Sequence, residues 1–366
     1  MQVRRLWLED FRNYERLDLQ FAEGLTVVVG RNGQGKTNLV EALAWLSTLS
    51  SFRGASNDTL VAVGAERAII RAELDVDGRE QLIEAEIPRS GRTRVQVNKQ
   101  RMNKTRELLG TLRVTVFAPD DLSLIKDGPS GRRRFVDDLL VSLHPKNDKL
   151  RTELDRVLRQ RNALLKQARG VLSDEVAVTL EIWDAKLVAA GEQLARGRQA
   201  ALDRLQPLAE QAYADLADDT RTMELSYVAP WREHGLAQAL ADARSDELRR
   251  GVSLVGPHRD DIAVRLGAFD SRTHASQGEQ RSLALAMRLA AHRLIEDHTE
   301  ATPVLVLDDV FSELDPQRCA ALIDHLPAGQ AILTTAGAVP DSLHPSRLVT
   351  IDQGTASTPA PDPVGG

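Results

Sequence analysis

The chain is poor in cysteine, in aromatic residues and in long apolar runs. Its single cysteine, Cys319, excludes an intrachain disulfide and a cysteine-built zinc site, and fits a reducing cytoplasm. No stretch approaches the roughly 20 uncharged apolar residues of a membrane span. The start, Met1-Gln2-Val3-Arg4-Arg5, has no apolar core of signal-peptide length, so a cytoplasmic protein without a membrane partner is expected. An excess of positive charge is missing too: 47 Lys and Arg against 53 Asp and Glu give a formal charge of -6, so any nucleic-acid surface must be local. Only 4% of residues are aromatic, whereas 42% are hydrophobic, and a 366-residue chain of that composition buries a sizeable core in two lobes rather than one.

What is present is a phosphate-binding pattern. Gly30-Arg31-Asn32-Gly33-Gln34-Gly35-Lys36-Thr37 spells G-x-x-x-x-G-K-T, and average composition puts its chance occurrence in such a chain at about one in a hundred. It lies between the apolar run Leu25 to Val29 and a helix-like segment, Asn38 to Leu46. That context is what the chemistry requires. A buried strand ends, glycines let the backbone curl with its N–H groups inward, and the positive end of the next helix faces the phosphates. Lys36 is placed to reach the β- and γ-phosphates and Thr37 to ligate magnesium.

In chain order, Met1 to Asp10 and Leu17 to Phe21 alternate apolar and polar side chains and predict strands. Between them, Arg12 in Phe11-Arg12-Asn13-Tyr14 reads first as an ordinary surface residue. Ile69 to Ile87 alternates about Asp77-Gly78, a hairpin signal. Arg89, Arg92, Arg94, Lys99, Arg101, Lys104 and Arg106 follow with no acidic residue between them. In an acidic chain that imbalance favours a phosphate-contacting surface over a merely solvated face. It lacks interleaved aromatics, which favours duplex backbone over stacked single-stranded bases. After the strand-like Val114 to Phe117, Gly128-Pro129-Ser130-Gly131 marks a loop, with Ser130 a candidate cap for a helix beginning near Arg132. Arg132, Arg133 and Arg134 either bind phosphate or pair with Asp137, Asp138 and their neighbours.

Beyond His144-Pro145 the pattern turns helical and without strands: Leu150, Leu154, Val157, Leu158, Leu164 and Leu165 at helical spacing, then Leu180, Trp183, Leu187 and Leu194 after Gly170. The first of these helices, Asp148 to Arg169, spans about 33 Å at 1.5 Å per residue, and Arg232 to Arg250 is another. Gly256-Pro257-His258-Arg259-Asp260-Asp261 turns into the strand Ile262 to Leu266, with His258 read as a hydrogen-bonded turn residue before a catalytic base. Ser276-Gln277-Gly278-Glu279-Gln280-Arg281 precedes a helix from Ser282 to Ile295, and a serine and glycine at a helix start can donate to an anion.

Val304 to Leu307 is a continuous apolar run ending in Asp308 and Asp309. Such runs are strands buried on both faces of a parallel sheet, and carboxylates at their C-terminal edge sit where ligands bind. Asp308 is assigned to magnesium and Asp309 to orienting or deprotonating the attacking water. Ser312-Glu313-Leu314-Asp315 follows as a loop, and Ala331 to Thr335 is a last buried strand. Lys36 and Asp308 must meet at one phosphate, so the two ends of the chain share a sheet and the helical arm is an insertion. The Ser276 loop then completes the nucleotide site of a second copy.

Taken together, Arg12-Asn13-Tyr14, Gly30 to Glu41, Gly128 to Asp137, Gly256 to Asp261, Ser276 to Arg281 and Asp308 to Asp315 resemble the motifs of the RecF family. These are bacterial recombination mediators among the ABC-type ATPases related to the SMC proteins. The resemblance implies an α/β fold: an ABC-type P-loop ATPase head (1–143 and 251–352) with an antiparallel β subdomain and a short coiled-coil-like helical arm lobe (144–250). The tail from Gln353 to Gly366, which the resemblance does not cover, is rich in Pro, Gly, Ser and Thr and is expected to be disordered. The resemblance further implies ATP and Mg2+, and an ATP-dependent homodimer with each nucleotide between Lys36 of one copy and Ser276, Gln277, Gly278 and Glu279 of the other. It implies binding to duplex and gapped DNA, cooperation with RecR, RecO in the same pathway, and loading of RecA. It also raises Arg12 and Asn13 to nucleotide contacts. Two features depart from the wider ABC pattern: the signature reads Ser-Gln-Gly-Glu-Gln, and Asp309 stands where a glutamate is usual. A base one methylene shorter points to slow hydrolysis. A DNA-dependent ATPase acting as a switch is therefore expected, with a non-catalytic, nucleotide-gated structural clamp as the alternative; an ATPase subunit of a membrane transporter is disfavoured by the long arm.

Overall fold

The computed structural model describes residues 1–358 apart from 218, 313 and 341. The chain begins with β1 (Gln2–Phe11), β2 (Tyr14–Gln20), β3 (Leu25–Val29), α1 (Lys36–Thr48), α2 (Asn57–Leu60), β4 (Arg67–Val76), β5 (Arg79–Pro88), β6 (Arg94–Val97), β7 (Gln100–Arg101) and β8 (Val114–Phe117). Then come α3 (Ser123–Lys126), α4 (Pro129–Leu143), α5 (Asn147–Ala168), α6 (Asp174–Leu216), β9 (Met223–Val228), α7 (Leu236–Arg250), β10 (Asp261–Leu266), β11 (Phe269–Asp270) and α8 (Ser271–His274). The last stretch holds α9 (Gln277–Thr299), β12 (Val304–Asp308), α10 (Pro316–Asp324), β13 (Ala331–Thr335), β14 (Arg347–Asp352) and β15 (Thr355–Ser357).

These elements form two compact units. The first comprises Met1–Leu122, Gln211–Thr220 and the chain from Gln277 onward; the second comprises Ser123–Glu210 and Arg221–Ser276. Residues 123–143 and 251–276, which the sequence pattern groups with the head, thus pack with the arm segment. The reason is local: α4 lies on β10, and Arg132 of α4 grips Asp261 at the start of that strand.

The first unit holds two six-stranded sheets. One is antiparallel, in the order β2-β1-β4-β5-β6-β7. Its alternation is the predicted one: Leu6, Leu8 and Phe11 of β1, Ile70, Ala72 and Leu74 of β4 and Ile83, Ala85 and Ile87 of β5 are buried. The β4–β5 turn falls at Asp77 and Gly78, both with positive φ (53° and 77°), as a tight two-residue hairpin requires. The other sheet has the order β15-β14-β3-β13-β12-β8 and is parallel except for β15. Every residue of β12 and of β13 is buried, which is why both read as unbroken apolar runs.

Helix α1 joins the two sheets. Its Leu39, Val40, Leu43, Trp45 and Leu46 belong to the same core cluster as Leu6 and Leu8 of β1 and Val304 and Val306 of β12. Each fully buried large apolar side chain contributes about 1.5–3 kcal/mol. The helix that starts at Lys36 is therefore fixed from both sides before any ligand arrives.

In the second unit, α5, α7 and most of α6 accompany a three-stranded sheet, β11-β10-β9. Strand β9 corrects the expectation of an arm without strands: Met223 and Leu225 are buried and pair with β10 in register (Leu225 with Val264). The partner lies far along the chain, so the six residues read as loop on their own. Helix α4 starts at Pro129 with Gly128 as cap and no side-chain cap, so Ser130 does not cap; proline at the first helical position, where no N–H is needed, sets the start instead. The tail expected to be disordered from 353 forms the turn Gln353-Gly354 and strand β15; residues 359–366 lie outside the described residues. Among the described residues no helix is long and apolar enough to cross a membrane.

Candidate nucleotide site

The site is built where parallel strands end together. Val29 of β3 pairs with Thr335 of β13, and Thr334 pairs with Asp308 of β12. The C-terminal edge of three adjacent strands therefore carries the glycine loop, two threonines and two aspartates side by side. In the loop Gly33 and Gly35 have φ of 81° and 118°, conformations open to glycine at little cost. A β-carbon on Gly35 would also stand 2.7 Å from the Asn13 amide nitrogen. Arg31 and Asn32 lie exposed on the loop.

Lys36 is 6% exposed, and its ammonium donates to the carbonyl oxygens of Gly30 (2.7 Å) and Arg31 (3.0 Å). Burial draws its pKa down, while the charges of Asp309 and Asp308 oppose that shift. Asp308 is 2% exposed, and burial holds its carboxyl above the ordinary range; hydrogen bonds from Thr334 (2.6 Å) and Thr37, and the charge of Lys36, act the other way. Thr37 and Asp308, the two residues assigned to magnesium, thus lie close enough for the Thr37 hydroxyl to lower the Asp308 pKa. Asp309 takes a left-handed backbone (φ 50°), its N–H is 3.0 Å from the Thr334 carbonyl, and its Oδ1 is buried with no hydrogen-bond donor. A hydroxyl, a carboxylate and an acceptor lacking a donor suit magnesium, which takes oxygen ligands and few carboxylates. Among the described residues no cluster of three or more His, Cys, Asp or Glu offers a rival metal site.

The β1–β2 turn flanks the loop. Asn13 donates from Nδ2 to the Gln34 carbonyl (3.0 Å) and accepts from Asn38 Nδ2 (2.7 Å). Arg12 stands beside it, its guanidinium forked onto Glu41 of α1 (2.9 and 2.8 Å) and donating to the Thr59 carbonyl. Sequence reasoning missed three supports of the loop. Buried Tyr14 donates its hydroxyl to the Gly35 carbonyl at 2.9 Å. Glu41, fully buried, anchors Arg12. The β14–β15 turn braces Gln34, with Gln353 N–H donating to Oε1 (2.6 Å) and Gly354 N–H to the carbonyl (3.2 Å). Gln353 and Gly354 both have positive φ (46° and 76°), so the Asp352-Gln353-Gly354 hairpin signal was available but masked by the Pro- and Ser-rich residues after it.

Other assigned residues fall as follows. Ser276 and Gln277 are exposed, with Gly278 and Glu279 half-buried in the first turn of α9, a 23-residue helix packed on β8. Glu313 lies outside the described residues. Arg92, Arg94, Lys99, Arg101 and Lys104 are all exposed, and Arg92, Lys99, Arg101 and Lys104 make no side-chain hydrogen bond or ion pair among the described residues. Arg94 pairs with Glu86 at 3.1 Å. Arg92, Arg94, Arg101 and Lys104 line a polar cleft of about 740 Å³. Arg132 is corrected: it is 5% exposed, forked onto Asp261 at 2.9 Å and bonded to the carbonyls of Leu124 and Asp127, so its buried guanidinium is turned inward onto protein partners rather than presented to DNA. Arg133 likewise donates inward, to the Asp260 carbonyl at 2.7 Å. His258 sits 3.2 Å from the Ser253 carbonyl, and burial pushes its pKa down to about 4, so it is a neutral turn residue.

Known proteins resemble this chain in sequence and fold. The sequence pattern of the RecF/RecN/SMC N terminal domain matches residues 2–336. The DNA replication and repair protein RecF of Streptomyces avermitilis is 43% identical over 372 residues, covering 97% of this chain and 99% of its own. The chain belongs to the RecF family. RecF of Kineococcus radiotolerans is 41% identical over 94% of each chain. A solved structure of the recombination mediator RecF with ATPrS, from the RecFOR pathway, superposes with a TM-score of 0.89 at 29% identity over 98% of both chains. The Smc head domain of Pyrococcus furiosus shares the fold, with a TM-score of 0.55 at 17% identity. The RecF family thus supplies the frame for the site: ATP-binding, SMC-like proteins of DNA replication and repair.

Proposed function

We propose that this chain is an ATP-driven switch on DNA. ATP binding closes a homodimer on duplex DNA at single-strand gaps, slow DNA-stimulated hydrolysis releases it, and with RecR, in a pathway that includes RecO, it helps to load RecA. The observation that carries the reading is the meeting of Lys36, Thr37, Asp308 and Asp309 at one sheet edge. The RecF structures with ATP and ATPrS in the RecFOR pathway support it.

In this scheme the backbone of Gly30, Arg31, Asn32, Gly33, Gln34 and Gly35 cradles the phosphates, Lys36 neutralises the β- and γ-phosphates, and Arg12 and Asn13 meet the nucleotide from the β1–β2 turn. Thr37 and Asp308 hold magnesium, which when bound offsets phosphate charge. Asp309, beside Lys36 and with an acceptor free of donors, orients the water whose oxygen bonds to the γ-phosphorus as the bond to the ADP oxygen breaks. Ser276, Gln277, Gly278 and Glu279 donate from the start of α9 to the nucleotide of a second copy. Arg92, Arg94, Lys99, Arg101 and Lys104 meet the phosphates of the duplex, and the cations among them without ion-pair partners support that role.

Sedimentation of wild type and Ser276→Arg, with and without ATP and magnesium, tests the shared site. Wild type is expected to shift from monomer to dimer with ATP while Ser276→Arg stays monomeric. Two monomers under all conditions, gapped duplex included, would remove the clamp mechanism.

A further inference from the structure

Glu41 is a carboxylate with no exposed surface, placed five positions after Lys36 on the helix that begins at the phosphate loop. A buried charge of this kind is retained only where donors surround it. Here Arg12 forks onto both oxygens (2.9 and 2.8 Å), Ser51 donates its hydroxyl to Oε1, and the Arg53 guanidinium stands 3.9 Å from Oε2. None of these donors belongs to α1. Arg12 comes from the β1–β2 turn and Ser51 and Arg53 from the loop after α1.

The contacts close into a ring. Arg53 donates to Asn38 Oδ1 (3.2 Å), Asn38 to Asn13 Oδ1 (2.7 Å), and Asn13 to the carbonyl of Gln34 in the phosphate loop (3.0 Å). Asn13 is bonded in sequence to Arg12, which returns to Glu41. Arg12 itself has a left-handed backbone (φ 56°) with its N–H on the Leu60 carbonyl at 2.8 Å, a conformation that surrounding contacts must hold in place. The fork onto Glu41 is the strongest of these contacts.

We propose that Glu41 is a positioning residue for nucleotide binding: through the fork it fixes the Arg12 guanidinium, and with it the Asn13 amide against the phosphate loop. The proposal rests on the reading that Arg12 and Asn13 meet the nucleotide. ATP affinity is measured for Glu41→Gln, Arg12→Ala and the double variant, with thermal stability recorded for each. Glu41→Gln is expected to raise the Kd for ATP about tenfold, the size of one charged hydrogen bond. On the Arg12→Ala background it is expected to add less than about twofold, because it acts through Arg12. In turnover, KM is expected to rise with kcat unchanged, whereas a loosened fold would lower kcat and Tm.

Where Glu41→Gln fails to fold, Glu41→Asp keeps the buried charge, withdraws it by one methylene and is expected to weaken ATP binding in the same direction. If Arg12→Ala weakens binding and neither Glu41 variant does, the positioning role is overturned and the nucleotide-contact reading survives. If Arg12→Ala leaves Kd unchanged, that reading falls and the positioning role with it. Additive losses in the double variant likewise overturn it.

Discussion

Asp308 is held above the ordinary carboxylate range chiefly by burial, against hydrogen bonds from Thr334 and Thr37 and the charge of Lys36. For an acid whose pKa is raised on folding, the stabilising contribution is full below its unfolded value near 3.8 and is lost as pH rises through the folded value. At neutral pH the ionised group is thus a cost to the fold. Asp308→Asn is expected to raise Tm, by about 2–4 °C for each kcal/mol recovered, while slowing ATP turnover at least about a hundredfold. Calorimetry beside an ATPase assay checks both, and a lowered Tm would contradict the reading. The place of this carboxylate at a buried strand end was legible in the sequence because an apolar run ending in acids has few structural meanings beside a phosphate loop. Glu41 was not, since one glutamate on a helix reads as solvated until Arg12 and Ser51 are seen around it. For Arg132 the sequence left phosphate binding and pairing with nearby aspartates open, and α4 turns it inward onto Asp261, a partner 129 positions away that no local pattern shows.

At the scale of elements, α9 carries a histidine that its neighbours do not satisfy. His292 is fully buried with neither ring nitrogen hydrogen-bonded, and burial pushes its pKa down to about 4, against the nearby charge of Glu296 and with that of Arg293. For a base whose pKa is lowered, the unfolded chain binds the proton first. Stability is therefore lost as pH falls from about 6.5 toward about 4, and His258 adds to the same window. His292→Leu is expected to raise Tm at pH 5 more than at pH 8; a parallel shift at both would show that titration plays no part. The long amphipathic helices and the hairpin at Asp77-Gly78 announce themselves by local period. Strand β9 and the β14–β15 hairpin do not, because each is only as stable as the strand it adds to.

For the whole molecule, charge placement matters more than net charge. A chain of formal charge -6 presents five exposed cations on and beside β6 and β7, four of them without ion-pair partners among the described residues. Replacing Arg92, Lys99, Arg101 and Lys104 by alanine is expected to flatten the slope of log K against log salt for duplex DNA by about 3–4, near 0.9 for each phosphate no longer neutralised. Binding titrations between 50 and 200 mM salt (~fourfold) measure it, and an unchanged slope would place the DNA elsewhere. The ABC-like head and inserted arm were legible at this scale because Lys36 and Asp308 have to meet, whereas unit boundaries depend on which helix covers which strand and no local pattern records that.

The brace between Gln34 and Gln353 spans 319 positions. At synthesis rates of about 5–20 residues per second, the phosphate loop leaves the ribosome about 15–60 s before its own brace has been made. For that interval the nascent chain carries the glycine loop without β14 beside it. The support of the phosphate loop is thus completed late in synthesis, by a turn far from the motif in sequence.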